Sequence, residues 1–453
     1  MGTSATNTAR ATLLLSLALG AGLTAGVSPA QQEIPGLELN RATELNNRGL
    51  ALYNQGKIDD AILLYRQALA INPSFEEALS NLGVALDAKG RDDEAVADFD
   101  AALKLNPKDA VAENNRALSL YHERKYPDAI AAYKIAIEIH ANFPQAYNGM
   151  GAALFAEGRT DDAIAAYRKA LELSPKYLDA LNNLGAALNS QQKWDEAIGV
   201  FEHALALSPK STDIRVNYAE ALIGAGRNDD AIAAYREVVA EEPDDAASWL
   251  ALGQLQYKQN QMADAVASFQ RSLALNPKQP GAEFHLASAL QQQGNLPEAI
   301  AAYRRGLALD PGNAHALYNL GNAFMAMSQP GDAEQEYRNA LAALPDFPEA
   351  EVAIGAAQAA AGELDAAEAT FRKLIAQHPD NADAQFNLGN VLFNKNQWAP
   401  AADAYRECIR LRPDYAHAHY NLGMTLLRLN DAKTATQEFQ EANRLDPSLK
   451  PPQ

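Results

Sequence analysis

Residues 178–211, LDALNNLGAALNSQQKWDEAIGVFEHALALSPKS, hold two helical patterns separated by a turn, and the same 34-residue unit returns from Ala42 to Leu449. With Leu178 taken as place 1, the recurrence can be checked by indexing alone. Place 32 is Pro at positions 73, 107, 175, 209, 243, 277, 311, 345, 379, 413 and 447, and only Ala141 breaks the series. Place 20 is Ala in all twelve units, from Ala61 through Ala197 to Ala435. Place 24 is Tyr or Phe in all twelve, from Tyr65 through Phe201 to Phe439. Place 8 is Gly in nine units and Ala in three, Ala117, Ala219 and Ala287. Small or apolar residues at places 7, 8 and 11 make one helical stripe, and those at 20, 21, 24, 27 and 28 make a second. A period of this length with two helical stripes per unit predicts a solenoid of helix pairs.

The residue types follow from that geometry. Where two antiparallel helices touch, Gly or Ala lets the backbones approach, so a Leu at Gly185 or Ala197 should overpack the contact and cost about 1–3 kcal/mol. The aromatic ring of place 24 fills the space beside them. Place 15, between the stripes, is Gly in six units and Asn in three, Asn260, Asn396 and Asn430; both types tolerate the left-handed backbone that ends a helix. Pro at place 32 stops the second helix.

These residues give the chain a clear resemblance to tetratricopeptide repeat (TPR) proteins, over twelve units without an insertion, 408 of 453 residues. The resemblance implies an all-α fold, an α-solenoid coiled as a right-handed superhelix of twelve antiparallel helix pairs. It also implies that the first helix of each pair lines a concave groove that holds a partner's peptide or helix. The expected organisation is a signal peptide over 1–30, a linker over 31–41 broken by Pro35-Gly36, the array over 42–449 and a tail over 450–453.

The opening residues carry Arg10, then an apolar core of about 17 residues, then Ser28 and Ala30 flanking a cut after Ala30, the pattern of a secretory signal peptide. An uncleaved anchor is the alternative, and the apolar run is short for a membrane span. Membrane contact is expected only in that case, and cleavage would place the mature protein outside the cytoplasm, in the periplasm or secreted. The formal net charge is −19, or −20 without residues 1–30, whose only charged side chain is Arg10. Such a chain repels phosphate backbones, which argues against nucleic acid. Cys408, the single cysteine, stands at place 27, which is Ala in seven units, and reads as a small core residue.

Place 21 is Ile or Val in the first eight units and place 28 is Ile, Leu or Val in the first eleven, whereas the last unit carries Thr436 and Asn443 there. Polar residues on that face suit an array end that meets water. Glu334 and Glu368 replace the place-21 aliphatic in units nine and ten, Ala402 shrinks it in unit eleven, and Ser328-Gln329-Pro330 alters a turn. This segment is expected to be softer, a hinge or a docking patch.

No constellation for catalysis emerges, so the chain is read as a non-enzyme with no cofactor, no metal and no small-molecule substrate. The pairs Asp59-Asp60, Asp161-Asp162 and Asp229-Asp230 recur at places 18 and 19, where carboxylates offset the helix dipole. His417 and His419 are two apart, a spacing that points them to opposite sides of a helix. One register invites a binding role. Place 6 is Asn at Asn47, Asn81, Asn115, Asn183, Asn217, Asn319, Asn387 and Asn421. In the resembling family it adjoins the concave side, and a column of carboxamides can bond the backbone of an extended peptide whatever its sequence. Asparagine ladders of this kind line the TPR arm of O-GlcNAc transferases, which the column resembles; support of neighbouring helices is the competing reading. Beside it, places 5 and 12 hold Tyr53, Tyr121, Phe155, Tyr257, Tyr318 and Phe393, with Phe284, Phe386 and Tyr420. These rings suit peptide capture or packing between units. Place 5 has no Lys, so the carboxylate clamp by which some TPR domains grip chaperone tails is missing.

The expected function is therefore an exported interaction scaffold that binds extended peptide segments of partner proteins. Two alternatives stand beside it: a substrate-recruiting arm serving a separate glycosyltransferase subunit, and a structural rod that self-associates.

Overall fold

A computed structural model describes residues 36–450 and 452. These residues form α-helices and no strand, and they fall into two compact units that divide after Glu241. The chain is an all-α helical-repeat solenoid. The signal segment, the cut at Ala30 and the start of the linker lie outside the described residues. Among the described residues, no helix is long and apolar enough to cross a membrane.

The first unit comprises α1 (Gly36–Asn54), α2 (Ile58–Ile71), α3 (Glu76–Asp87), α4 (Asp92–Leu105), α5 (Ala110–His122), α6 (Tyr126–Ile139), α7 (Pro144–Ala156), α8 (Thr160–Leu173), α9 (Leu178–Ser190), α10 (Trp194–Leu207), α11 (Thr212–Gly224) and α12 (Asn228–Glu241). The second comprises α13 (Ala246–Lys258), α14 (Met262–Leu275), α15 (Pro280–Gln292), α16 (Leu296–Leu309), α17 (Ala314–Ala326), α18 (Pro330–Ala343), α19 (Pro348–Ala360), α20 (Leu364–Gln377), α21 (Ala382–Asn394), α22 (Trp398–Leu411), α23 (Ala416–Arg428) and α24 (Ala432–Leu445). Every second helix thus starts at place 17 and ends at place 30, two residues before the place-32 proline. Helix α1 begins inside the segment read as linker. Residues 36–41 are helical because Leu-Glu-Leu-Asn-Arg extends the first turn, and Thr43 Oγ1 donates to Leu39 O at 3.0 Å.

The turn forecast at place 15 is present in all twelve repeats. Gly56, Gly90, Gly158, Gly226, Gly294 and Gly362 have φ between +70° and +83°, and Arg124, Gln192, Asn260, Ser328, Asn396 and Asn430 have φ between +58° and +62°. The next amide folds back to the place-11 carbonyl, as in Lys193 N to Leu188 O at 3.0 Å, so the helix end keeps its backbone bonds while the chain reverses.

The reversal presses the two helices together. All twelve place-20 alanines are 0 % exposed, and the place-24 rings are at most 5 % exposed. A Cβ added at any of the nine place-8 glycines would lie 2.4–2.8 Å from a place-24 ring carbon. The ring therefore occupies the volume a side chain at place 8 would need. Where place 8 is Ala117, the ring of Tyr133 meets the following repeat instead. A Cβ on Gly149 would lie 2.4 Å from its Cζ and 2.5 Å from its hydroxyl, which explains why place 6 is Gly there. Within each unit successive first helices also touch, as α7 does α9 and α19 does α21.

The polar replacements at place 21 are satisfied. Glu334 Oε1 accepts from Arg338 at 2.6 Å and from Gln358 Nε2 at 2.8 Å. Glu368 accepts from Arg372 at 2.8 Å and from Lys395 at 2.6 Å. In the last repeat Thr436 is exposed and Asn443 donates to the carbonyls of Pro447 and Leu449, both at 3.3 Å, tying down the tail.

Candidate functional site

The place-6 asparagines all lie on first helices. Asn47 is exposed, and Asn81, Asn115, Asn183, Asn217, Asn319, Asn387 and Asn421 are half-buried. In the first unit three of them form rungs to place 5 of the preceding repeat. Asn81 Nδ2 donates to Asn46 Oδ1 at 3.0 Å, Asn183 Nδ2 to Asn148 Oδ1 at 3.1 Å, and Asn217 Nδ2 to Asn182 Oδ1 at 2.8 Å. Asn46 and Asn148 are 0 % exposed and Asn182 is half-buried, so the first two rungs anchor a half-exposed carboxamide to a buried one. Asn115 Oδ1 accepts from its neighbour Asn114 at 3.3 Å. In the second unit Asn421 Nδ2 reaches Asn390 Oδ1 at 2.8 Å, while Asn387 Nδ2 returns to Asp383 O in its own helix at 2.9 Å. Donation orients each side chain and leaves its oxygen with acceptor capacity. Helix support and a polar row are thus the same residues. The place-5 partners carry no local motif, and only counting 35 residues back from each place-6 Asn would have found them.

The aromatic candidates divide by place. At place 12, Tyr53, Tyr121, Phe155, Tyr257 and Phe393 are half-buried near the ends of first helices. Tyr121 lies 5.6 Å from Tyr126, Phe393 lies 4.9 Å from Trp398, and the Tyr257 hydroxyl accepts from Gln292 Nε2 at 2.6 Å. At place 5 the rings are part of the repeat interior. Tyr318 lies 5.5 Å from Tyr337 and 5.2 Å from Phe347, Phe386 lies 4.8 Å from Tyr415, and Tyr420 lies 5.4 Å from Phe439. Phe284 fills the space over Gly306. Tyr318 therefore belongs with the packing rings, because the place-24 ring draws place 5 inward.

The remaining polar groups have structural duties. Asp59 pairs with Lys89 at 3.0 Å, Asp162 with Arg159 at 2.7 Å and Asp230 with Arg227 at 2.8 Å. His417 is exposed, whereas His419 is buried between Glu438 Oε2 at 2.6 Å and Pro413 O at 3.0 Å, and the Glu438 bond raises its pKa. Cys408 is fully buried and desolvation pushes its thiol up to about 11, which makes it a poor nucleophile. One cluster escaped the sequence reading: Asp87, Asp92 and His122 converge from two repeats.

Four family models match this chain. One described as tetratricopeptide repeat covers 46–110, 93–147, 318–382, 352–416 and 386–449, a second covers 188–255, 222–280 and 256–307, and a third covers 142–210; one described as TPR repeat covers 287–328. The chain belongs to the tetratricopeptide repeat family. As a TPR protein it is a protein–protein interaction scaffold, on a fold that is generally non-catalytic. No curated protein matches its sequence. Among solved structures it is similar to the Cut9–Hcn1 hetero-tetramer of APC/C (15 % identity, 91 % of this chain and 95 % of that one, TM-score 0.41). It is also similar to yeast Tom70 (16 %, 90 % and 92 %, TM-score 0.36) and to YrrB, a TPR protein with an unusual peptide-binding site (21 %, 40 % and 92 %, TM-score 0.32).

Proposed function

We propose that this TPR protein is an exported, non-catalytic scaffold whose first-helix faces hold extended segments of partner proteins. The observation that carries the reading is the row of rungs at Asn81, Asn183 and Asn217. Each carboxamide is held by a neighbour, a buried one for Asn81 and Asn183 and a half-buried one for Asn217, so little rotamer entropy remains to be lost when it bonds a peptide backbone. The half-buried place-12 rings Tyr53, Tyr121 and Phe155 add apolar surface on the first helices α1, α5 and α7. Support for export comes from the sequence of residues 1–30.

Changing Asn81, Asn115, Asn183 and Asn217 together to Ala, with helicity checked by circular dichroism, should abolish recovery of partners from the exported fraction. Undiminished recovery would remove the asparagine row from the mechanism. N-terminal sequencing of the mature protein should find it beginning at Gln31.

A further inference from the structure

We propose that Asp87, Asp92 and His122 form a binding site for one divalent cation, with one imidazole nitrogen and two carboxylate oxygens as ligands. Asp87 closes α3, Asp92 opens α4 and His122 ends α5, so the donors come from two consecutive repeats of the first unit. His122 Nδ1 lies 3.2 Å from Asp87 Oδ1 and 3.8 Å from Asp92 Oδ1, and one ligand atom of each residue lies within 4.8 Å of the other two. A tetrahedral ion with bonds of about 2.0–2.2 Å holds its donors about 3.3–3.6 Å apart. Small side-chain rotations therefore close the three donors onto one ion.

The charge environment points the same way. The Asp87 and Asp92 side chains are 10 % and 13 % exposed, and carboxylates brought together out of water need a cation between them. In the preceding repeat Asp59, 78 % exposed, pairs with Lys89 at 3.0 Å. Here an imidazole also faces the two carboxylates. A metal ion balances them with the imidazole neutral. Ser119 Oγ donates to Asp87 Oδ1 at 2.7 Å, the kind of outer bond that orients a ligating carboxylate. One nitrogen and two oxygens from the protein suit Zn²⁺ and its first-row neighbours better than Ca²⁺, and leave a coordination position for water or a partner group. The inference is independent of the partner-binding reading, although Tyr121 of the place-12 row lies 6.0 Å from the His122 ring.

The test uses the full chain, freed of metal with EDTA and then titrated with Co²⁺, whose visible absorption reports N/O coordination, followed by Zn²⁺ as competitor. Saturation at one equivalent is expected. His122→Gln and Asp92→Asn should each weaken binding by at least about tenfold, whereas Asp93→Asn and His417→Ala should bind as the parent does. Unaltered binding in His122→Gln, or no saturable signal in the parent chain, overturns the proposal, the latter leaving a protonated imidazole to hold the carboxylates. Should the variants fail to fold, diethyl pyrocarbonate labelling of the parent decides. One equivalent of Zn²⁺ should protect His122 and leave His417 reactive; equal labelling of His122 with and without Zn²⁺ overturns the site.

Discussion

The two units share one hairpin and join successive hairpins by different chemistry. In the first unit place 5 is Asn or Ser in five of six repeats, Val216 being the exception, and the rungs run from place 6 back to place 5 across 35 residues. In the second unit place 5 is apolar throughout, from Leu250 to Tyr420. There two place-6 residues turn to place 9 of the preceding repeat, across 31 residues: His285 meets Gln254 at 3.0 Å, and Asn421 donates to Asn390 at 2.8 Å. Place 9 decides which partner is available. It is Leu50, Val84, Leu118, Ala152, Ala186 and Glu220 in the first unit, and includes Gln254, Ser288, Asn322 and Asn390 in the second. The polar place 9 also receives the ring below it, as Tyr337 donates to Asn322 at 2.8 Å and Tyr405 to Asn390 at 2.7 Å. The comparison teaches that the small-residue and aromatic interior sets the hairpin, while the polar seam between hairpins can be rewritten as long as each buried group finds a partner.

The largest expected effect strikes the packing against an invariant place-24 ring. Gly149→Leu, driven into Tyr133, should cost about 3 kcal/mol, and Gly149→Ala about 1–2 kcal/mol, as overpacking does. Gly199→Ala, whose Cβ meets nothing within 4 Å, should instead gain about 0.5–1 kcal/mol from helix propensity. Urea denaturation with site-resolved amide exchange over α5–α10 reads both signs, and a gain at Gly149 would refute the close approach. Next comes the rewritten seam. Lys395→Met removes a 2.6 Å partner from Glu368, whose side chain is 17 % exposed, and should cost about 1–3 kcal/mol. Unchanged amide protection in α20–α22 would show that Arg372 alone suffices. A backbone term should ignore the difference between units altogether. Gln192→Gly in the first and Ser328→Gly in the second, both at left-handed φ, should each gain about 1 kcal/mol. A gain confined to one unit would mean that the turn side chains contribute contacts as well.

Most of the fold was legible because its causes are local and periodic. Ala at place 20, the ring at place 24 and the turn at place 15 each answer to a single steric demand that returns every 34 residues. The start of α1 was misread because Pro35-Gly36 signals a break wherever it stands, while the helix-forming residues after it decide how far the helix extends. Gly149 looked like a gap in the asparagine column, and its reason lies 16 residues upstream, where Tyr133 avoids the Cβ of Ala117. The asparagine row itself was visible, but its anchors Asn46, Asn148 and Asn182 were not, since a bond between neighbouring repeats leaves no pattern within either one. Asp87, Asp92 and His122 were invisible for the same reason: spacings of 5 and 30 residues form a cluster only after two helix pairs have stacked.

The smallest expected effect separates the units by the sign of their response to acid. Asp98 of α4 has its carboxyl pushed up to about 6, chiefly by desolvation, with Arg66 opposing and Glu94 adding to the shift. Its folded form binds a proton more tightly than the unfolded chain does, so it contributes a loss of stability as pH rises from the ordinary value of 3.8 toward 6. Glu368 of α20 is held below its ordinary 4.5 by bonds from Lys395 and Arg372, so its contribution is present above 4.5 and is lost as pH falls through the lower folded value. Going from about pH 7 to about pH 5 should therefore tighten α4 while leaving α20 unchanged, and going below about pH 4 should loosen α20, each by no more than about 1 kcal/mol because both sites are partly screened by solvent. Amide exchange corrected for its intrinsic pH dependence measures both. Asp98→Asn should erase the first response and Glu368→Gln the second; if both helices loosen together between pH 7 and pH 5, desolvation in the first unit and charge pairing in the second are not what distinguishes them.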